Sequence, residues 1–234
     1  MKRWFIVPAA GTGSRFGSDK PKQYAHLAGK TVLEHTLERL LHIESTAIIV
    51  ALNPSDTYWQ NLDIFSNPTL RTCDGGEQRA DSVLRALYSI ASEADEMDWV
   101  LVHDIARPCI RVSDIQQLIN RLAHHPTGGL LATPISDTIK RVKDSADNTN
   151  LTVLETVPRE YLWAASTPQM FRYGLLTKAL EHCTEKGLTP TDEANALEQI
   201  GIQAAIVPAC SDNLKITHPH DITLAEAILS NQLV

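Results

Sequence analysis

The segment Trp4-Phe5-Ile6-Val7-Pro8-Ala9-Ala10-Gly11-Thr12-Gly13-Ser14-Arg15 begins as an apolar run and breaks at Pro8 into small, turn-forming residues. A short apolar run closed by proline and glycine reads as a buried strand ending in a loop. The same alternation continues down the chain. Residues 31–43 predict a helix, opened by a Thr31/Glu34 capping box and carrying Val32, Leu33, Leu37, Leu40 and Leu41 on one face. Apolar runs at 47–52, 70–73, 99–102 and 129–134 predict further strands. Residues 80–94 and 113–123 predict helices between them, the second with Ser113 and Gln116 as its capping box. Strand, loop and helix in strict turn define an α/β fold, a mostly parallel sheet with helices on both faces. Ligands of such sheets lie beyond the carboxyl ends of the strands. The informative residues are therefore 8–15, 75–82 and 103–108.

The pattern changes at Ser136. Apolar and β-branched residues at 138–142 and 151–157 flank a polar turn at 143–150 and predict a long antiparallel hairpin, an arm spanning 136–159. An isolated hairpin is marginal in water, so the arm packs against a partner subunit or folds back on its own chain. Helices are expected at 172–186, 191–200 and 219–229, and short strands at 204–207 and 214–216. No linker divides the chain, which reads as a single domain over 1–234.

Composition bounds the function. The chain has 234 residues, 43% of them apolar and 21% charged, which excludes a disordered or fibrous protein and allows a sizeable core. With 21 basic and 28 acidic residues the formal charge is −7, against a general nucleic-acid or anionic-membrane binder. An anionic ligand must then meet lysines and arginines concentrated locally. Cys73, Cys109, Cys183 and Cys210 form no C-x-x-C pair and read as small core residues in a reducing compartment. The apolar start stops at Pro8, short of the roughly 7–15 residues of a signal peptide's core. The expectation is a cytoplasmic protein.

Several loop residues carry chemistry. The glycines and alanines of 8–17 let backbone N–H groups approach a phosphate, and Arg15 adds a charge-assisted contact. The loop is not a Walker A sequence, and Gly17 falls one position late for a dinucleotide fingerprint. Lys22, braced by Pro21, is placed to reach the same anion. Asp104, at the carboxyl end of the 99–102 strand just past His103, could hold Mg²⁺ together with substrate phosphates, or cap the next turn or pair with Arg107. His103 could be a ligand or base, or be structural. Lys215 alternates with Leu214 and Ile216, so it faces either solvent or the site. Thr191-Asp192-Glu193 is a helix start or a polar lid. The pairs His124/His125 and His218/His220 have no further ligands at useful spacing and read as surface residues.

Taken in order, Pro8 to Arg15, Pro21-Lys22-Gln23-Tyr24, Gly75 to Val83, His103 to Pro108, Thr191 to Ala194 and Asp212 to Lys215 resemble the 2-C-methyl-D-erythritol 4-phosphate cytidylyltransferase family over essentially the whole chain. The resemblance implies a Rossmann-like nucleotidyltransferase fold and a homodimer joined by the arm. It implies transfer of CMP from CTP to methylerythritol phosphate, with Mg²⁺ or another divalent cation. Carried over by position, Ala9, Ala10, Gly76, Glu77 and Ser82 would line the cytosine pocket. Gly11 and Gly13, with Arg15 and Lys22, would hold the CTP phosphates. Asp104 would lie by the ribose and metal, and Lys215 by the α-phosphate. Arg15, Lys22 and Lys215 would be the catalytic cations. Arg107 and Thr191 would hold the acceptor phosphate with Thr138 and Arg159 of the partner's arm. Ile105, Glu77 and Pro158 depart from the family pattern, which more often has alanine, aspartate and an acidic residue there. Rival readings are a cytidylyltransferase acting on a pentitol 5-phosphate such as ribitol 5-phosphate, a non-catalytic nucleotide-binding regulator, and a dinucleotide-dependent oxidoreductase.

Overall fold

The computed structural model describes residues 1–11, 16, 20–143 and 151–232. The opening apolar run forms β1 (Arg3–Ala9). Phe5, Val7 and Ala9 face one layer of the core while Trp4 and Ile6 face the other. A strand buried on both sides explains the unbroken apolar run where a half-exposed strand would alternate. A two-stranded antiparallel pair, β2 (His26–Leu27) and β3 (Lys30–Thr31), leads into α1 (Val32–Leu41). The capping box is formed as expected: Glu34 N–H donates to Thr31 Oγ1 at 3.2 Å and Thr31 N–H to Glu34 Oε2 at 2.8 Å. There follow β4 (Ala47–Leu52), β5 (Leu70–Asp74), α2 (Arg79–Ser89), β6 (Trp99–Val102), α3 (Val112–Leu122) and β7 (Gly128–Pro134). The chain then makes β8 (Ile139–Val142), β9 (Val153–Val157), β10 (Trp163–Arg172), α4 (Tyr173–Glu185), α5 (Glu193–Glu198), β11 (Ala205–Pro208) and α6 (Asp221–Gln232).

Among the described residues the main sheet has seven strands, in the order β11-β7-β10-β6-β1-β4-β5. The neighbours β6, β1, β4 and β5 are parallel, as are β7 and β11, while β10 runs antiparallel between β6 and β7. Helices α1 and α3 cover one face; α2, α4 and α5 cover the other. A third apolar cluster, with Phe16, Leu27, Ile216, Ala225 and Leu229, seats α6. From β1 the chain builds outward through β4 and β5, then returns to place β6 on β1's other side. That reversal opens a crevice at the carboxyl ends of β1 and β6.

One strand was not foreseen, and three expectations need correction. Residues 163–172 form β10, which the sequence hides because Trp-Ala-Ala-Ser-Thr-Pro shows neither alternation nor a β-branched run. Its Pro168 falls where the register with β7 shifts, between Ala165 and Gln169, the kind of irregularity that tolerates proline inside a sheet. Residues 214–216 belong to no strand; Ile216 N–H donates to the Ala106 carbonyl at 2.8 Å within an irregular segment. Ser113 caps nothing: α3 starts a residue earlier, with Arg111 at its N-cap and no side-chain cap bond. The box that sequence reading missed is at α2, where Gln78 and Asp81 bond reciprocally. Of the cysteines, all free thiols, Cys109 and Cys183 are buried, Cys73 is partly buried, and Cys210 is exposed, contrary to its reading as a core residue.

Within the stretch read as an arm, β8 and β9 form a two-stranded antiparallel ladder, pairing Ile139 with Val157 and Lys140 with Thr156. Val142, Leu151, Val153 and Leu154 on it are all exposed. Its turn, residues 144–150, lies outside the described residues. No helix among the described residues is long and apolar enough to cross a membrane.

Candidate active site

A cleft of about 450 Å³ opens at the crevice, walled by the carboxyl ends of β1, β4 and β6 and by the loop that starts α2. Close approach of two loops shapes its back wall. A Cβ on Gly75 would come within 2.4 Å of the Ala10 Cβ, and one on Gly76 within 2.2 Å of the Asp81 Cβ. Only glycine fits at either position. The Gly76 N–H donates to Ser82 Oγ at 3.0 Å, and the Ser82 hydroxyl donates to the Gln78 carbonyl at 3.1 Å. Arg85 Nη1 fixes the Gly75 carbonyl at 2.8 Å. On the facing loop the buried Gln23 Nε2 donates to the Ala9 carbonyl at 2.9 Å, so the β1 turn is held from below.

The charged groups centre on Asp104, which follows β6 and is 9% exposed at its side chain. Arg79 Nε donates to its Oδ1 at 2.8 Å and Lys215 Nζ to its Oδ2 at 2.7 Å, with Arg107 Nε 3.6 Å from Oδ2. Burial pushes this carboxyl up, but Arg79, then Lys215 and Arg107, overcome it and hold the group far below the ordinary carboxylate range. Asp104 is therefore ionised at any working pH. Lys22 Nζ donates to the Ile216 carbonyl at 3.0 Å, which brings both cleft lysines onto one irregular segment.

Behind Asp104 lies His103, fully buried. Its Nε2 is 3.2 Å from the Arg107 carbonyl, which can only accept, so Nε2 carries the proton. Nδ1 then accepts the Thr167 hydroxyl at 3.1 Å, and the same Thr167 oxygen accepts the Asp104 N–H at 3.0 Å. Burial lowers the imidazole pKa to about 4. His103 is thus a neutral brace for the Asp104 backbone and does not line the cleft.

Of the residues singled out in the sequence, Ala9, Ala10, Gly11, Lys22, Gly76, Glu77, Ser82, Asp104 and Lys215 all line the cleft. Arg107 stands behind Asp104 and donates from Nη1 to the Asn213 carbonyl at 2.7 Å. Thr138, Arg159 and Thr191 are exposed and are not among the cleft's lining residues. Gly13 and Arg15 lie outside the described residues. Lys215 does face the site, although the strand invoked to orient it does not exist. Thr191-Asp192-Glu193 is a helix start: Asp192 caps α5 by accepting the Asn195 N–H at 2.8 Å. Sequence reading missed Arg79, Gln23, Asn53 and the buried Glu193. A charged residue at the first position of a helix that opens beside a phosphate loop was the available signal for Arg79.

Among the described residues no cluster of three or more His, Cys, Asp or Glu could by itself hold a metal. Asp104 is an ionised carboxylate on the cleft wall. That fits a hard cation taking one carboxylate and completing its shell with substrate phosphates and water.

A doubly wound sheet with glycine-lined backbone and paired lysines at its switch point defines a nucleotidyltransferase. The family model described as IspD, 2-C-methyl-D-erythritol 4-phosphate cytidylyltransferase, matches residues 4–231. The chain belongs to that family. Relatives so named include one from Vibrio vulnificus (strain YJ016), 48% identical over 97% of this chain and 94% of its own length. Another, from Hahella chejuensis, is 49% identical over 97% and 93%. The crystal structure of the Francisella tularensis cytidylyltransferase superposes with a TM-score of 0.84 at 36% identity, covering 97% of this chain and all (100%) of that one. The structure of the Thermus thermophilus enzyme gives 0.77 at 29% identity, covering 98% and 100%.

Proposed function

We propose that this chain transfers CMP from CTP to 2-C-methyl-D-erythritol 4-phosphate, releasing pyrophosphate, as a step of non-mevalonate isoprenoid precursor synthesis. The observation that carries the reading is the cleft: Ala9, Ala10, Gly11 and Gly76 line it together with Lys22, Lys215 and Asp104, at the switch point of a chain that matches this family almost end to end. An oxygen of the acceptor phosphate attacks the α-phosphorus of CTP, the bond to the β-phosphate oxygen breaks, and pyrophosphate leaves with that electron pair. A phosphate monoester has a second pKa of about 6, so the nucleophile is already largely dianionic at neutral pH and needs no general base. Positioning and charge stabilisation remain, and fixed cations supply both.

Lys22 and Lys215 are assigned to the phosphates, together with Arg15 on the strength of its place in the β1 loop. Gly76, Ser82 and Glu77 take the cytosine, whose Watson–Crick edge suits backbone and hydroxyl partners, and Ala9, Ala10, Gly11 and Gly13 let the nucleotide lie close to the chain. A divalent cation, Mg²⁺ or similar, would be held by Asp104 and supply charge neutralisation between the phosphates. Arg107 and Thr191 are assigned to the acceptor. Thr138 and Arg159 are exposed on or beside the arm, which supports their serving a second subunit's acceptor site in a homodimer. The exposed Leu151, Val153 and Leu154 would pack in that dimer. Four free thiols support a reducing, cytoplasmic location.

The test is pyrophosphate release with CTP and methylerythritol phosphate, compared with ribitol 5-phosphate and with no acceptor. Release that depends on methylerythritol phosphate is expected. Faster release with ribitol 5-phosphate, or release independent of any acceptor, overturns the assignment.

A further inference from the structure

Arg79 lines the cleft, yet three of its five N–H donors are taken by two carboxylates. Nε donates to Asp104 Oδ1 at 2.8 Å, Nη1 to Glu193 Oε1 at 2.6 Å and Nη2 to Glu193 Oε2 at 3.1 Å. The Glu193 side chain is 1% exposed and both of its oxygens accept from this guanidinium. A carboxylate buried that deeply requires a charged, multiply bonded partner, and only an arginine fork can serve two carboxylates from two directions. The three residues come from three places: Arg79 opens α2 beside the Gly75–Gln78 turn, Asp104 follows β6, and Glu193 opens α5. The residue two before Glu193 is Thr191. Gln169 on β10 steadies the same turn, donating to Asp192 Oδ2 at 3.0 Å and accepting the Ala194 N–H at 2.9 Å.

We propose that Arg79 and Glu193 are a positioning pair for the reaction, a buried fork that fixes Asp104 on the nucleotide side and hangs the Thr191 segment from the same guanidinium. The pair thereby sets the spacing between nucleotide and acceptor sites. It rests on the assignment of Thr191 to the acceptor and of Asp104 to the nucleotide side. The competing use of Arg79, as a direct phosphate ligand, would set a phosphate against the two carboxylates that already balance its charge, and makes the opposite prediction. If Arg79 gripped phosphate, removing the Glu193 charge would free it and tighten CTP binding.

Two measurements separate these readings. The first needs no substrate: amide hydrogen exchange on the resting protein, comparing wild type, Glu193→Gln and Arg79→Lys. Exchange at residues 191–195 should quicken about tenfold in both variants while the β1, β4 and β6 amides keep their protection. The second is steady-state kinetics. Glu193→Gln should raise the acceptor KM about tenfold with CTP KM within about twofold of wild type, and Arg79→Lys should lower kcat as well. The double variant should be no worse than Arg79→Lys alone, because one fork is lost either way. Unchanged exchange at 191–195 overturns the proposal, as do tighter CTP binding in Glu193→Gln or strictly additive losses. If wild type itself fails to use methylerythritol phosphate, the functional assignment falls, while the exchange result still decides whether the fork holds the segment.

Discussion

His103 gives the clearest pH signature in this fold. Its imidazole pKa falls from an ordinary value near 6.5 to about 4 because burial opposes the charge. The sign follows from which state takes the proton: as pH falls below about 6.5, an unfolded chain protonates its histidine while the native one refuses, so native stability drops until about pH 4. A displacement of about 2.5 pKa units corresponds to about 3 kcal/mol in total, of which about 2 kcal/mol is lost between about pH 7.5 and 5. His103→Gln replaces the ring with an amide that can still donate to the Arg107 carbonyl and accept from Thr167, but cannot titrate. Urea unfolding at a series of pH values should show wild type losing about 2 kcal/mol more than the variant over that interval. The absolute stability of the variant is immaterial, since packing changes add a constant offset. Carboxylates that titrate in the same range contribute equally to both proteins and cancel in the difference. Protonation would also place an N–H where Nδ1 now accepts the Thr167 hydroxyl, so activity should fall with stability. Parallel stability curves for the two proteins would show that His103 is not held neutral, and the account of the Asp104 brace would be wrong.

Lys22→Ala should lower kcat about 10²–10³-fold with a smaller effect on CTP KM, as expected on losing one preorganised donor; near-normal kcat in a stopped pyrophosphate assay would remove it from catalysis. Arg159→Ala should raise the acceptor KM by about ten- to a hundredfold, the weight of a charge-assisted bond, and an effect confined to CTP would contradict its place in the acceptor site. Gly76→Ala must push its Cβ against Asp81, 2.2 Å away, so CTP affinity measured by calorimetry should weaken while the sheet keeps its melting temperature within a few degrees. Leu154→Asp, on the exposed arm, should shift sedimentation from dimer to monomer and cut activity; a variant that still sediments as a dimer dissociates the arm from assembly.

How much of this was legible in the sequence varied with how local the signal was. β1, β4 and β6 are buried on both faces, so their unbroken apolar runs identify them without context. Gly75 and Gly76 were legible as a turn closing the 70–73 run, and the structure adds a second reason for them, since a Cβ on either would collide with Ala10 or Asp81. β10 was not, since an antiparallel strand inserted among parallel ones carries small residues and a proline whose place depends on β7, where Ala165 pairs with Ala132 and Gln169 with Leu130, far back along the chain. The alternation of Lys215 with Leu214 and Ile216 left it facing either solvent or the site; no strand forms there, yet the side chains do divide, Leu214 and Ile216 toward the α6 cluster and Lys215 toward Asp104. Arg79 and Glu193 were invisible as a pair: they are 114 positions apart, and nothing local to either reports that a guanidinium will lie between two buried carboxylates.

The formal charge of −7 and a site for two polyanions are reconciled at Asp104. Among the described residues four cations, Lys22, Lys215, Arg79 and Arg107, crowd one end of the sheet, and without compensation their mutual repulsion would spread the loops that carry them. Asp104 ties Arg79, Lys215 and Arg107 together, Glu193 takes the remaining edge of Arg79, and the Ile216 carbonyl takes Lys22. These partners differ in kind. Glu193 is sealed from solvent and keeps its arginine, whereas Lys215 is 40% exposed at its side chain and can leave Asp104 for a phosphate at small desolvation cost. The division follows from burial: the carboxylate bonds deepest in the protein hold geometry, and those at the cleft surface are the ones a substrate phosphate can replace. Cations held this way are oriented before substrate arrives, which is the condition under which fixed charge lowers a transition state more than it lowers the ground state.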